Sequence, residues 1–202
     1  MKHGPVTLKN VVVDTLNGTY LIMLYMLWGG GRVKTQNGKW LDIDRWDLII
    51  AHPPCTYLSN AATAHHSLKS AAESRIEGRT LLRIQAMDFF MRCIMSPCEK
   101  IAVENPVGIM NTAFRKPDQI IEPYQFADSA EDTENYVTKR TCLWLKGLPA
   151  LKTNNLPRPD NKQLFGVLST GKINNWTDAH KDPLFRSKTF PGIARAMAEQ
   201  WG

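Results

Sequence analysis

Cysteine is scarce in this chain, and no two cysteines form a CxxC pair. Cys55, Cys93, Cys98 and Cys142 are its four thiols. A disulfide framework is therefore not expected, and a reducing cytoplasm is the expected location. No His or Cys follows Cys93 and Cys98 at ligand spacing, so no metal site is expected and both read as inert thiols. Long apolar runs are lacking too. The longest, Tyr20 to Trp28, falls short of the about 20 residues that a membrane span requires. It runs into GGGRVK rather than a small-residue cleavage site, so neither membrane insertion nor export is expected. There is no internal repeat and no low-complexity tract. Negative charge is the minority sign: 25 Lys and Arg stand against 19 Asp and Glu, a net +6. Such a surplus suits an anionic partner such as nucleic acid or a nucleotide, and it suits a merely soluble basic protein equally well.

What is present is a globular composition, with 43% apolar and 22% charged residues in 202. That length supports one domain with a full core and is too short for two large ones. Leu48 to Ala51 is a short apolar run of the kind covered on both faces in a parallel sheet. It ends in His52-Pro53-Pro54-Cys55, where proline turns the chain, so Cys55 is expected just past the carboxyl end of a strand. Ser70 to Met95 carries a helical pattern in which Ile84, Met87, Phe90, Met91 and Ile94 recur at three- and four-residue spacing. Lys100 to Val103 reads as a second buried strand, leaving by Glu104-Asn105-Pro106. The order is that of a βαβ unit with a polar motif at each strand's carboxyl end, where open α/β sheets bind ligands. Lys139 to Leu145 is strand-like, Lys152 to Lys181 reads as loop, and Gly192 to Trp201 as a short helix bearing Ile193, Met197 and Trp201.

A thiol and a carboxyl group at neighbouring strand ends suit attack on a pyrimidine. Hydrogen bonding at ring nitrogen 3 makes carbon 6 attackable, a thiolate adds there, and carbon 5 becomes nucleophilic. Cys55 would be that thiolate, Glu104 would engage the base edge, and Arg140 could steady the pyrimidine oxygen. Each motif alone also reads as a plain turn. His52 could orient or protonate a substrate, or pack beside the turn. His65 and His66 read as solvent-facing, and Trp144 and Trp201 as core.

These residues carry a resemblance. AHPPCTYLSNA (51–61) resembles the Pro-Cys nucleophile loop of cytosine carbon-5 methyltransferases, VENP (103–106) their Glu-Asn-Val motif, and SKTFPGIARAMAEQWG (187–202) their last motif. More narrowly, the stretch from Trp46 to Gly202 resembles short phage and prophage proteins described as DNA cytosine methyltransferases. They share the phrases IAHPPCTYL, IAVENP and KRTCLWLKGLP. The resemblance implies an α/β fold with a Rossmann-like class I methyltransferase sheet, S-adenosylmethionine as cofactor and DNA as partner. It implies Cys55 and Glu104 as catalytic residues, Pro54, Asn105 and Arg140 at the substrate, and Asp47, Pro53 and Thr189 at the cofactor. Thr56 and Pro106 depart from the broad pattern, its Gln-x-Arg-x-Arg motif has only a loose substitute in Lys139-Arg140-Thr141, and no large target-recognition domain is present.

The first thirty residues fit least. A methyltransferase needs an earlier strand with a Gly-bearing loop and an acidic residue at a strand end to take the ribose hydroxyls. Here Asp14, after Val11 to Val13, is the nearest candidate. Read from the third nucleotide of its codons, Met1 to Tyr20 admits a Cys-Ser-Gly-Gly-His-Pro-Glu-Trp-His segment like that of the phage proteins, and the familiar frame returns near Gly29 to Gly31. Residues 1–30 are thus expected to be an atypical segment, a shifted reading that forms no regular first βαβ unit. Residues 31–202 would be the catalytic domain, with an irregular loop region at 152–186. Two other readings stay open: an enzyme using the same thiol on a free pyrimidine nucleotide, and a catalytically dead remnant that at most binds nucleic acid.

Overall fold

A computed structural model describes residues 11–14, 31–34, 38–60, 73–180, 182, 185–186 and 188–202. The chain divides into two compact units. The first comprises Met1–Gln119 and Cys142–Pro149, the second Ile120–Thr141 and Ala150–Gly202.

The first unit is α/β. Strand β1 (Val11–Asp14) is followed by an antiparallel hairpin of β2 (Gly31–Lys34) and β3 (Trp40–Ile43), then by β4 (Ile49–His52). Helix α1 (Glu73–Ile94) leads to β5 (Ile101–Pro106). The five-stranded sheet takes in β6 (Gln119–Ile121) and β7 (Thr141–Lys146) in the order β1-β4-β5-β7-β6; of these two strands, Gln119 and Cys142–Lys146 belong to the first unit. β1, β4 and β5 run parallel, so the expected βαβ unit is present, and β1 lies at the sheet edge with Asp14 in register with His52. The rest of Met1–Trp28, the run Tyr20–Trp28 included, lies outside the described residues, as do His65, His66 and Ser70.

Burial explains these strands. Ile49, Ile50 and Ala51 of β4 and Ile101, Ala102 and Val103 of β5 are all buried, as continuous apolar runs in a parallel sheet should be. Phe90 of α1 packs edge-on against Trp144 of β7, ring centroids 5.0 Å apart, and Trp144 Nε1 donates to the Arg115 carbonyl. Cys93, Cys98 and Cys142 lie in this core. Two expectations are corrected. β5 continues through Glu104 and Asn105 to Pro106; a proline at the last position of a strand costs the ladder little. Ile84 faces solvent at 58% exposure, because Ala86, Phe89, Phe90 and Cys93 form the inward face of α1 together with Arg79 and Arg83, which are half-buried.

In the second unit, helix α2 (Pro191–Trp201) opens with Pro191 in its first turn, where a missing N–H costs nothing. It buries Ile193, Met197 and Trp201, as its spacing requires. Gly192 donates to Asn135 Oδ1 at 2.7 Å, and a Cβ there would meet the Phe126 carbonyl at 2.4 Å, so backbone contact demands glycine. Among the described residues, the region expected to be irregular includes two short capped helices. Asn161–Phe165 is capped by the Asp160 side chain and Trp176–Ala179 by that of Asn175.

Candidate functional site

β4 and β5 pair with a constant offset of 52 positions, from Ile49 with Ile101 to Ala51 with Val103. The same offset continues in side-chain bonds beyond the ladder. His52 Nδ1 lies 2.8 Å from Glu104 Oε2, with side chains 12% and 23% exposed. Asn105, which is buried, donates from Nδ2 to the Pro53 carbonyl at 2.7 Å. The register that aligns the strands thus also fixes the two polar motifs against each other.

The chain then makes a short excursion and is pinned again. Cys55 opens a turn in which its carbonyl accepts from Leu58 and Ser59. Ser59 bridges antiparallel to Gly108, Ile109 N donates to the Leu58 carbonyl at 2.8 Å, and Asn60 N donates to the Val107 carbonyl. A Cβ on Gly108 would stand 1.9 Å from the Leu58 oxygen, so this approach too requires glycine. Residues 53–58 are therefore held at both ends against residues 104–109. Cys55 is exposed at the tip of that excursion, three residues past β4, and adjacent strands are only about 4.8 Å apart.

Exposure separates the four cysteines. Cys93, Cys98 and Cys142 are buried, and Cys55 is exposed. Burial pushes the Cys93 thiol up to about 12, so it stays protonated and unreactive near neutral pH. Asn111 Nδ2 donates to Cys142 Sγ at 3.7 Å.

The structure bonds His52 to Glu104 and Asn105 to Pro53, and Cys55 opens the turn that follows. It does not bring Asp47 to them: Asp47 is exposed, ahead of β4 at its amino end. Arg140, exposed, and Thr189, half-buried, belong to the second unit. The His52–Glu104 bond was not foreseen from sequence. Its signal was the equal offset of IIAHP and IAVEN along two adjacent parallel strands. Among the described residues no group of three or more His, Cys, Asp or Glu could hold a metal ion, and no helix is long and apolar enough to cross a membrane. No protein-family profile and no curated protein matches the chain.

Proposed function

We propose that this chain is a methyltransferase domain of the DNA cytosine carbon-5 type, with Cys55 as its nucleophile. The observation that carries the proposal is the exposure of Cys55, alone of four cysteines, in a turn pinned at both ends against the strand that bears Glu104. The Cys55 thiolate forms a bond to carbon 6 of the cytosine ring, and the carbon 5–carbon 6 π electrons move onto carbon 5. Glu104 holds the base edge at ring nitrogen 3 and shares its proton there as that nitrogen gains charge. His52 bonds Glu104 and fixes the orientation of the carboxyl group. Asn105, tied to Pro53, keeps the two loops in register. After carbon 5 is methylated, its proton leaves and the thiolate is expelled. A base stacked in a duplex is out of reach of such a turn, so the DNA must be single-stranded or the base flipped out.

S-adenosylmethionine, when bound, supplies the methyl group. In the chain as it stands the acidic residue nearest to a role in binding it is Asp14, whose backbone register with His52 sets it at the carboxyl end of the strand beside β4; a restored frame replaces that segment. A carboxylate at such a strand end suits the vicinal hydroxyls of a ribose. Asp47, at the opposite end of β4, does not share that location.

DNA containing 5-fluorocytosine tests the reading. Fluorine cannot leave carbon 5 as a cation, so the Cys55 adduct stalls as a complex that survives denaturing electrophoresis. With the frame of residues 1–28 restored and S-adenosylmethionine present, trapping is expected, slowed in Glu104→Gln and abolished in Cys55→Ser. Trapping that survives Cys55→Ser would overturn the assignment.

A further inference from the structure

Helix α1 presents two cations on its inward side. The stripe that buries Phe90 and Ala86 continues toward the amino end as Arg83 and Arg79, with steps of three and four residues. Both arginines are half-buried, while Leu81, Leu82 and Ile84 on the same turns are exposed. Apolar residues out and arginines in is the reverse of what burial alone selects.

Both arginines meet the turn that carries Cys55. Arg83 Nε donates to the Tyr57 carbonyl at 3.1 Å, and the Arg79 guanidinium stands 5.3 Å from the centre of the Tyr57 ring. These partners are neutral. Among the described residues neither arginine forms an ion pair, although seven such pairs form elsewhere. Arg79 Nε and Arg83 Nη2 are buried without a hydrogen-bond acceptor. Burial first, and the charge of Arg79 second, hold the Arg83 guanidinium below its ordinary value. Two like charges on successive turns, half withdrawn from water and short of acceptors, have no counter-charge among the described residues.

We propose that Arg79 and Arg83 bind a phosphate group of the pyrimidine substrate and hold it beside the Cys55 turn. Guanidinium groups recognise phosphate through paired N–H donors, and both residues keep part of their surface exposed to receive one. The inference rests on the reading of Cys55 as a pyrimidine nucleophile. The same chemistry serves a DNA backbone phosphate or the phosphate of a free nucleotide.

The test uses the full chain as it stands. Its Tm is compared in sodium phosphate and in sodium chloride at equal ionic strength. A phosphate-specific rise is expected in the wild type and is expected to vanish in Arg79→Gln/Arg83→Gln. Fluorescence anisotropy then follows a single-stranded, cytosine-bearing oligonucleotide against salt. The slope of log affinity on log salt should shrink in the double variant by about 0.7 for each lost phosphate contact. Deoxycytidine monophosphate is added as competitor. Displacement of the oligonucleotide assigns the site to a free nucleotide, and its failure at saturating concentration assigns it to the DNA backbone. If the double variant does not fold, Arg79→Lys/Arg83→Lys replaces it; it retains both charges and is expected to bind phosphate more weakly. No phosphate-specific rise in the wild type, an unchanged slope in a folded Arg79→Gln/Arg83→Gln, or an undiminished phosphate-specific rise in Arg79→Lys/Arg83→Lys would overturn the proposal. Phosphate binding without any Cys55 adduct would keep this site and remove the pyrimidine chemistry. Cys55 adducts without phosphate binding would do the opposite.

Discussion

Of the four cysteines one is exposed and three are buried. Iodoacetamide at pH 8 should modify one cysteine in the folded protein, Cys55, and all four after denaturation, as peptide mass spectrometry would show. Cys93 resists for an electrostatic reason: burial raises it from an ordinary 9.0 to about 12. The neutral thiol is the form that folding favours. Its contribution to stability is complete below pH 9.0 and is lost as pH rises toward about 12. Modification of Cys142 or Cys93 in the folded chain would contradict the exposures on which the choice of nucleophile rests. The sequence pointed to Cys55 and Glu104 through their strand-end settings. It could not show that His52 holds Glu104, because a histidine beside a turn has no periodicity to read and its partner is set only by the register of two strands.

At the scale of elements, the site depends on the pinning of one loop to another, and Gly108 is its tightest point. Gly108→Ala forces a Cβ against the Leu58 carbonyl and should cost about 1–3 kcal/mol or more, read as a lower urea midpoint. It should also slow any reaction of Cys55 that needs the turn in place. Gly78→Ala is the contrast: nothing lies within 4 Å of a Cβ there, and the position is helical, so stability should rise by up to about 1 kcal/mol. If both substitutions behaved alike, the close approach of the two loops would be wrong. β4, α1 and β5 were legible because continuous apolar runs and a helical repeat are strong signals. The inward side of α1 was misread at Ile84, since periodicity assumes that apolar residues turn inward and here Arg79 and Arg83 do. The hairpin of β2 and β3 gave no such signal, because its strands are four residues long and mix apolar with polar residues. The short helices at 161–165 and 176–179 could have been found from their caps, Asp160 and Asn175.

At the scale of the whole molecule, a parallel βαβ unit carries its polar motifs at the strands' carboxyl ends, where open α/β sheets bind ligands. The βαβ part of this was legible because both ends of the unit are close in sequence. The division into two units was not, because each unit is assembled from separated stretches of chain. The Cys55 chemistry can be tested on the chain without any methyl donor. A single-stranded oligonucleotide is made with 2-pyrimidinone in place of cytosine. That ring lacks the 4-amino group, so its carbon 6 is the stronger electrophile and a thiolate adds to it directly. After incubation and proteolysis, mass spectrometry should find the oligonucleotide adduct on Cys55, less of it in Glu104→Gln, and none in Cys55→Ser. An adduct on another cysteine, or no adduct under conditions in which iodoacetamide modifies Cys55, would contradict the assignment of Cys55 as a pyrimidine nucleophile.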